Sequence, residues 1–415
     1  MTKKIEIEKK YYCKNPDELI QLLEKKNMRK LKVEKESDEY FTDLESEYIK
    51  NRTCLRLRLT DKNLILTFKG KSSEFGNTYA KVETELKLNR TMYNTIYELL
   101  LSLGFCSYVT VNKKRLTYTK KEDSFVFNVM IDMVDDIGCF AEFELLCFEK
   151  QYDIEELKLK LNQFMQSFKN LNLIHADLPY RDFVAEEVYH NIKIKGNLRA
   201  LLVDFDGTLV DTERIFFNSF KNVLNNNYNV NITFDDYKEY ELDRNAKLLD
   251  YLKKNKKISL NESNEKIMDL VYFEYKKQLS SSIVLTEEIM NFKLIVKLKE
   301  LGVKVGLVST SKREYIDIIL KKLEVEDLFD VIISRDDVSN FKPHPEAYLL
   351  AIDRLNISSE ECLAVEDSKR GIRSAMAANI KTVKVNGFTN DNESFDSVAK
   401  IDKVGRLILI LLNHL

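Results

Sequence analysis

The 415-residue sequence lacks the marks of several protein classes. Its six cysteines, Cys13, Cys54, Cys106, Cys139, Cys147 and Cys362, are scattered with no CxxC pair, and there are only four histidines. That scarcity argues against a structural zinc site and leaves free thiols, which suit a reducing cytoplasm. No long hydrophobic run is present. The segment Leu407 to Leu412 near the end is far too short to span a bilayer, which takes roughly 20 residues. The opening MTKKIEIEKK has no apolar stretch, so a secretory signal is not expected there, and neither is a membrane. A net charge of −2 gives no global pull toward nucleic acid or an anionic surface. Internal repeats and low-complexity tracts are also missing. The expectation is a cytoplasmic protein of no set oligomeric state.

What is present is the composition of a soluble globular chain, 44% hydrophobic and 32% charged, long enough for two domains. Up to about residue 190 the text is strand-rich with period-two alternation. Helical spacing appears at Pro16 to Lys26, Arg90 to Leu103 and Ile154 to Phe168. A short polar stretch with a glycine, NIKIKGN, marks a linker at 191–198, giving domains of 1–190 and 199–415. Beyond it the pattern changes. Apolar strands are expected at Ala200 to Val203, Val303 to Val308, Val331 to Ile333, Cys362 to Val365 and Thr382 to Val385, with helices between them. Buried strands alternating with helices predict an α/β, doubly wound, Rossmann-like parallel sheet.

Such sheets bind ligands at the carboxyl ends of their strands, where this sequence places its polar groups. Asp204 and Asp206 follow the first strand, Ser309 follows KVGLV, Lys342 lies in a later loop, and Glu366 and Asp367 close CLAV. A carboxylate can attack phosphorus and split phosphate-ester hydrolysis into two steps, provided that a lysine and a divalent cation offset the charge. Gly207 lets the chain turn sharply after the strand.

These residues resemble the haloacid dehalogenase superfamily. DFDGT at 204–208, VST at 308–310, KPHPE at 342–346 and VEDSKRG at 365–371 match its four motifs in order. The resemblance implies that Asp204 is nucleophile and magnesium ligand, and that Asp206 is acid/base and a ligand through its carbonyl. Ser309 would hold the phosphoryl group, Lys342 would balance charge, and Asp367 with Glu366 would complete the metal site. It also implies a helical cap at about 212–290 that selects a small phosphorylated metabolite. Arg244 stands where the beta-phosphoglucomutase branch has a substrate-binding arginine, or else is a surface arginine of a cap helix. Phe216 replaces that branch's histidine, which favours a phosphatase over a mutase. His344 reads as a loop surface residue, and the other histidines have no ligand spacing.

In the first half the informative feature is charge alternation. Glu6, Glu8 and Lys10 share one strand face, as do Arg56 with Arg58, Glu83 with Glu85, and Glu142 with Glu144. Lys69 ends LTFKG, Arg115 follows Lys113, and Asp132 ends FNVMID. A single amphipathic strand turns its charges to water. Six such strands closed into a barrel would line a tunnel with carboxylates for divalent metals and bases for a polyphosphate.

The ordered set (ExExK at 6–10, RLR at 56–58, FKG at 68–70, ETE at 83–85, KKR at 113–115 and EFE at 142–144) resembles the CYTH family of triphosphate tunnel metalloenzymes, over about residues 1–188. The resemblance implies an α+β fold with an eight-stranded antiparallel tunnel barrel. Glu6, Glu8, Asp132, Glu142 and Glu144 would hold magnesium or manganese, and Lys10, Arg56, Arg58, Lys69 and Arg115 a triphosphate. The combined expectation is a bifunctional metal-dependent phosphohydrolase. Its alternatives are an adenylate cyclase in the first domain, or a polyphosphate or nucleotide sensor there that regulates the phosphatase. The neutral charge and the absence of a long basic stripe argue against RNA as a partner.

Overall fold

The computed structural model describes residues 5–70, 73–75, 78–80, 83–147, 153–239, 244–255, 262–281, 286–386 and 399–415. The chain divides into two compact units, Met1–His190 and Asn191–Asn413.

In the first unit β1 (Ile5–Tyr12) leads into α1 (Pro16–Lys25), which starts at a proline and is capped by Asn15 accepting from the Glu18 N–H at 3.3 Å. There follow β2 (Arg29–Thr42), α2 (Glu47–Lys50), β3 (Cys54–Thr60), β4 (Leu64–Lys69), β5 (Ser73–Phe75), β6 (Thr78–Ala80) and β7 (Glu83–Leu88). Then come α3 (Tyr93–Ser102), β8 (Cys106–Glu122), β9 (Phe125–Val134), β10 (Gly138–Cys147), α4 (Ile154–Gln166), β11 (Ile174–His175) and α5 (Tyr180–Ile192).

Eight of these strands run consecutively in the order β1-β10-β9-β8-β2-β3-β4-β7, all antiparallel. The expectation of an eight-stranded closed barrel needs correction. The sheet has eleven strands, and among the described residues no pairing joins its two ends. The physical reason lies on the free edge of β1, which is taken by β6 at Glu8 and by β11 at Tyr11 and Tyr12 rather than by β7.

The two faces of this sheet differ in chemistry, one packed by helices over much of its area and the other charged. Helices α1 and α4 bring Leu19, Leu23, Leu157 and Leu161 onto Ile7, Phe127, Val129 and Phe143. Helix α3 brings Tyr97, Leu100 and Leu101 onto Phe41, Leu55, Leu57 and Leu64. The charged face is not given to water: Asp38 and Asp132 are fully buried, and Glu36, Arg56 and Lys113 nearly so. Burying charges is costly unless they are paired, so this face is held by ion pairs.

The second unit contains β12 (Ala200–Val203), α6 (Thr212–Tyr228), α7 (Phe234–Glu239), α8 (Arg244–Lys254), α9 (Asn264–Ser281), α10 (Thr286–Glu300), β13 (Lys304–Val308) and α11 (Arg313–Lys322). It continues with β14 (Val331–Ile333), α12 (Glu346–Leu355), β15 (Cys362–Glu366), α13 (Lys369–Ala377), β16 (Lys381–Val385), β17 (Ala399–Ile401) and α14 (Val404–Leu412). The six strands are parallel in the order β14-β13-β12-β15-β16-β17, as a doubly wound fold requires. The chain winds outward both ways from β12, so the crevice at the carboxyl end of β12 is the switch point.

Helices α6 to α9 build a hydrophobic cluster of their own around Phe220, Leu224, Leu248, Leu249, Ile267 and Val271. These are the helices expected as a cap. Helix α10 instead packs with α14 and β13, so this helical cluster ends with α9. The apolar run from Leu407 is the buried side of α14, and no described helix is long and apolar enough to cross a membrane.

Candidate functional sites

In the second unit, β12 is wholly buried, and Val203 stands level with Leu307 on β13 and Val365 on β15. The next residue on each strand therefore emerges at one edge. Asp204 still donates its N–H to the Val365 carbonyl at 3.0 Å, and Ser309 donates to Ile333 O at 2.8 Å. After Asp204 the chain turns at Gly207 in the left-handed region, φ +79°, where a Cβ would overlap the Asp367 carboxylate. Only glycine fits that turn without displacing Asp367.

Lys342 reaches in from the loop after β14. Its Nζ donates to Asp204 Oδ1 at 2.7 Å, to Glu366 Oε1 at 2.5 Å and to Val308 O at 2.8 Å. Thr208 donates to Asp204 Oδ2 at 3.2 Å. The two oxygens of Asp206 accept from Thr212 Oγ1 at 2.7 Å and Ser309 Oγ at 2.6 Å. The structure thus brings together all six motif residues, Asp204, Asp206, Ser309, Lys342, Glu366 and Asp367. The Arg244 side chain lies outside the described residues.

Sequence reasoning missed several supporting groups. Tyr348, fully buried on α12, donates its hydroxyl to Glu366 Oε1 at 2.5 Å. The Arg370 guanidinium holds the Lys342 carbonyl, with Nε at 3.0 Å. From the helical cluster, Tyr275 on α9 packs edge-on against Phe216 and Tyr315, ring centroids 5.2 and 5.3 Å apart. The signal was faint for each: Tyr348 and Arg370 lie inside or beside recognised motifs, but nothing in their spacing marks a contact.

The electrostatics favour a cation. Burial, then the charge of Glu366, pushes Asp204 well above the ordinary aspartate range in spite of Lys342. Burial and Glu366 push Asp367 up to about 8. Burial alone would lower Lys342, but Asp204 and Glu366 override it and hold the ammonium charged. Asp204, Glu366 and Asp367 each offer a carboxylate oxygen within 4.8 Å of the others. A trio of oxygen donors with too little positive charge nearby fits a hard divalent ion.

In the first unit the inward charged face surrounds a cavity of about 300 Å³. Among the described residues nine basic and six acidic side chains line it, and three further buried acids, Glu36, Asp38 and Asp132, are paired with the bases from behind. The register explains the assembly. Arg56 and Arg58 on β3 lie opposite Tyr40 and Asp38 on β2, Lys113 on β8 lies opposite Glu36, and Arg115 lies opposite Asp132 on β9. Arg58 grips Asp38 through Nε at 2.6 Å and Nη2 at 2.7 Å. Arg115 donates through Nε to Asp132 at 2.7 Å and reaches Glu142 at 2.5 Å. Lys113 lies 3.3 Å from Glu36 and 3.5 Å from Asp132. Acids set behind the bases in this way fix the guanidinium orientations.

Lys10, Arg56, Arg58, Lys69 and Arg115 all line the cavity, as do Glu6, Glu8, Glu142 and Glu144. Asp132 is not on its wall, being engaged behind Arg115 and Lys113. The oxygen donors suit magnesium or manganese in kind. Burial, with Glu142 and Glu6 adding, raises Glu8 despite Lys69. Yet among the described residues these glutamates form no trio as tight as that of the second unit, so no step is derived through a metal here. The sequence reading gave no role to Glu36, Asp38, Tyr180 or Arg181, and named Lys113 only as part of KKR. Lys10 Nζ sits over the Tyr180 ring at 4.3 Å, and burial with the charges of Glu142 and Asp132 holds that phenol well above its usual range.

Residues 201–385 match the family model described as haloacid dehalogenase-like hydrolase, and residues 4–178 match the CYTH domain. The chain is similar to pyrophosphatase PpaX of Bacillus cereus (strain G9842), 29% identical over 52% of this chain and 97% of that protein. It is 31% identical to YhcW of Bacillus subtilis (strain 168) over 52% of this chain and 98% of that protein. Among solved structures, CbbY from Rhodobacter sphaeroides in complex with phosphate is 22% identical, covering 51% of this chain and 96% of that one, with a TM-score of 0.44. The chain belongs to the haloacid dehalogenase-like hydrolases, as an enzyme of the phosphatase type, and carries a CYTH domain ahead of that hydrolase.

Proposed function

We propose that the second unit is a divalent-metal-dependent phosphatase working through an aspartyl-phosphate on Asp204, and that the first unit hydrolyses a triphosphate. A carboxylate oxygen of Asp204 attacks phosphorus as the bond to the leaving oxygen breaks, and Asp206 gives that oxygen its proton. Asp206 then takes a proton from the water that attacks phosphorus, the Asp204–phosphorus bond breaks, and inorganic phosphate leaves. Ser309 and Lys342 hold the transferring group, and the cap excludes water from it. Asp204, the Asp206 carbonyl, Glu366 and Asp367 would hold magnesium, which when bound offsets charge on the phosphoryl oxygens. The observation that carries this reading is the position of Lys342 Nζ, within 2.7 Å of both Asp204 and Glu366.

The PpaX relatives are named pyrophosphatases, which favours pyrophosphate as the substrate of the second unit. A first unit that splits tripolyphosphate into pyrophosphate and phosphate would feed it. The test is phosphate release from pyrophosphate and from a panel of small phosphomonoesters, with quenched samples digested and weighed. The wild type should add one phosphoryl group to the peptide bearing Asp204, and Asp204→Asn should neither add it nor turn over. Normal turnover by Asp204→Asn would sink the mechanism.

A further inference from the structure

Two hydroxyls hold the carboxylate that the proposed phosphatase uses as its acid and base. Asp206 Oδ1 accepts from Thr212 at 2.7 Å and Oδ2 from Ser309 at 2.6 Å. Thr212, 3% exposed, opens α6, and Phe216 lies one turn along the same face of that helix. The Tyr275 ring, 5% exposed on α9, meets Phe216 edge-on at 5.2 Å. It is thereby brought to Thr212, with which its hydroxyl shares a hydrogen bond. Thr212 has one hydroxyl proton and gives it to Asp206, so Tyr275 is the donor in that bond.

Tyr275 is also held from its other side. Its ring meets Tyr315 of α11 edge-on at 5.3 Å, and Tyr272 stacks on Tyr315 with the ring planes 12° apart. Lys276 pairs with Glu314, and Lys322 donates to the Leu279 carbonyl at 3.4 Å. Helix α11 follows closely on Ser309, so the phenol is fixed between the helix that carries Thr212 and the one that follows Ser309.

We infer that Tyr275 is a positioning residue for protonation of the leaving group: its hydroxyl aims Thr212, and Thr212 aims Asp206. This rests on the phosphatase reading of the second unit and deepens it. In that reading Ser309 turns to the transferring phosphoryl group, which frees Asp206 Oδ2 and leaves Thr212 as its hydroxyl anchor. A lone threonine hydroxyl rotates to suit its surroundings, whereas one that accepts from a fixed phenol keeps its proton on Asp206. Chained hydrogen bonds also polarise one another, so the Tyr275 donor strengthens the Thr212–Asp206 bond.

The test is a leaving-group series on the full-length protein with magnesium. Departure of p-nitrophenolate needs little protonation and departure of phenolate needs much more, so only the second depends strongly on a well-placed acid. The readout is kcat/KM, which covers the steps up to departure of the leaving group. Tyr275→Phe keeps both ring contacts and removes only the hydroxyl. It should lower kcat/KM for phenyl phosphate about 10- to 100-fold and for p-nitrophenyl phosphate by less than about three-fold. Thr212→Val should show the same selectivity, and the two changes together should cost no more than about two-fold beyond the larger single loss. Equal losses on both esters, or losses that multiply in the double variant, would overturn the relay while leaving the phosphatase intact. Failure of wild type to hydrolyse either ester, or turnover that survives Asp204→Asn, would remove the phosphatase reading and the positioning role with it.

Discussion

Lys342 gives the sharpest test of the second site, because its removal acts on stability and chemistry at once. In Lys342→Met the apolar stem is kept and the ammonium lost. Asp204 and Glu366, 6% and 0% exposed, then lose a partner at 2.7 and 2.5 Å. Tyr348 still donates to Glu366, but Asp204 keeps only Thr208. Breaking a buried pair in this way costs about 3–5 kcal/mol, since a carboxylate is left without counter-charge. For a unit of this size 1 kcal/mol moves the melting midpoint by about 2–4 °C, so the drop should be about 6–20 °C. Added magnesium should restore part of it by supplying positive charge. Phosphatase turnover should fall by about 10²–10³-fold or more, as for loss of a preorganised charge at a transition state. Scanning calorimetry with and without magnesium is the assay. A midpoint within about 1 °C of wild type would refute the burial argument, whatever the activity showed.

Other predictions follow from the same geometry. Gly207→Ala must push the Asp367 carboxylate aside and hold φ near +79°, so kcat/KM of the phosphatase should drop about 10²-fold. Magnesium at about 100 times its dissociation constant should stabilise the second unit by about 2.7 kcal/mol, a gain that a chelator removes and that Asp367→Asn should largely lack. In the first unit burial would raise Asp38, but Arg58, Arg56 and Lys113 override it and hold the carboxyl well below the usual range. A depressed folded-state pKa contributes stability that is full above the unfolded value near 4 and drains as pH falls through it. Acid unfolding of that unit should therefore be steep below about pH 5, and a shallower limb is expected for Asp38→Asn by circular dichroism.

Much of this was legible where local pattern and tertiary role coincide. Short apolar runs such as Ala200 to Val203 and Cys362 to Val365, each ending in acidic residues and alternating with helical segments, fitted buried parallel strands, so they also located the edge that carries Asp204 and Glu366. The alternating charges of Glu6-Glu8-Lys10 and Arg56-Arg58 marked one strand face. That the face turns inward was an inference from having many such strands. Cross-strand partners were not legible. Nothing in one sequence says that Arg115 stands opposite Asp132, so Asp132 was expected on the cavity as a metal ligand and is found behind it. In β2 the adjacent acids Asp38 and Glu39 break the alternation, which hid the strand that anchors Arg58. Arg181 arrives from a helix more than a hundred residues distant from Thr53, and only the folded chain puts the two together.

The central claim, that each unit carries its own phosphohydrolase site, is tested most directly by product analysis with tripolyphosphate and ATP. Wild type, Glu6→Ala and Asp204→Asn would be compared with phosphate, pyrophosphate and cyclic AMP all quantified. The account predicts that Asp204→Asn still splits tripolyphosphate and lets pyrophosphate accumulate, while Glu6→Ala leaves tripolyphosphate intact yet still hydrolyses added pyrophosphate. Loss of tripolyphosphate cleavage in Asp204→Asn with its retention in Glu6→Ala would contradict it, and cyclic AMP from ATP would make the first unit a cyclase instead.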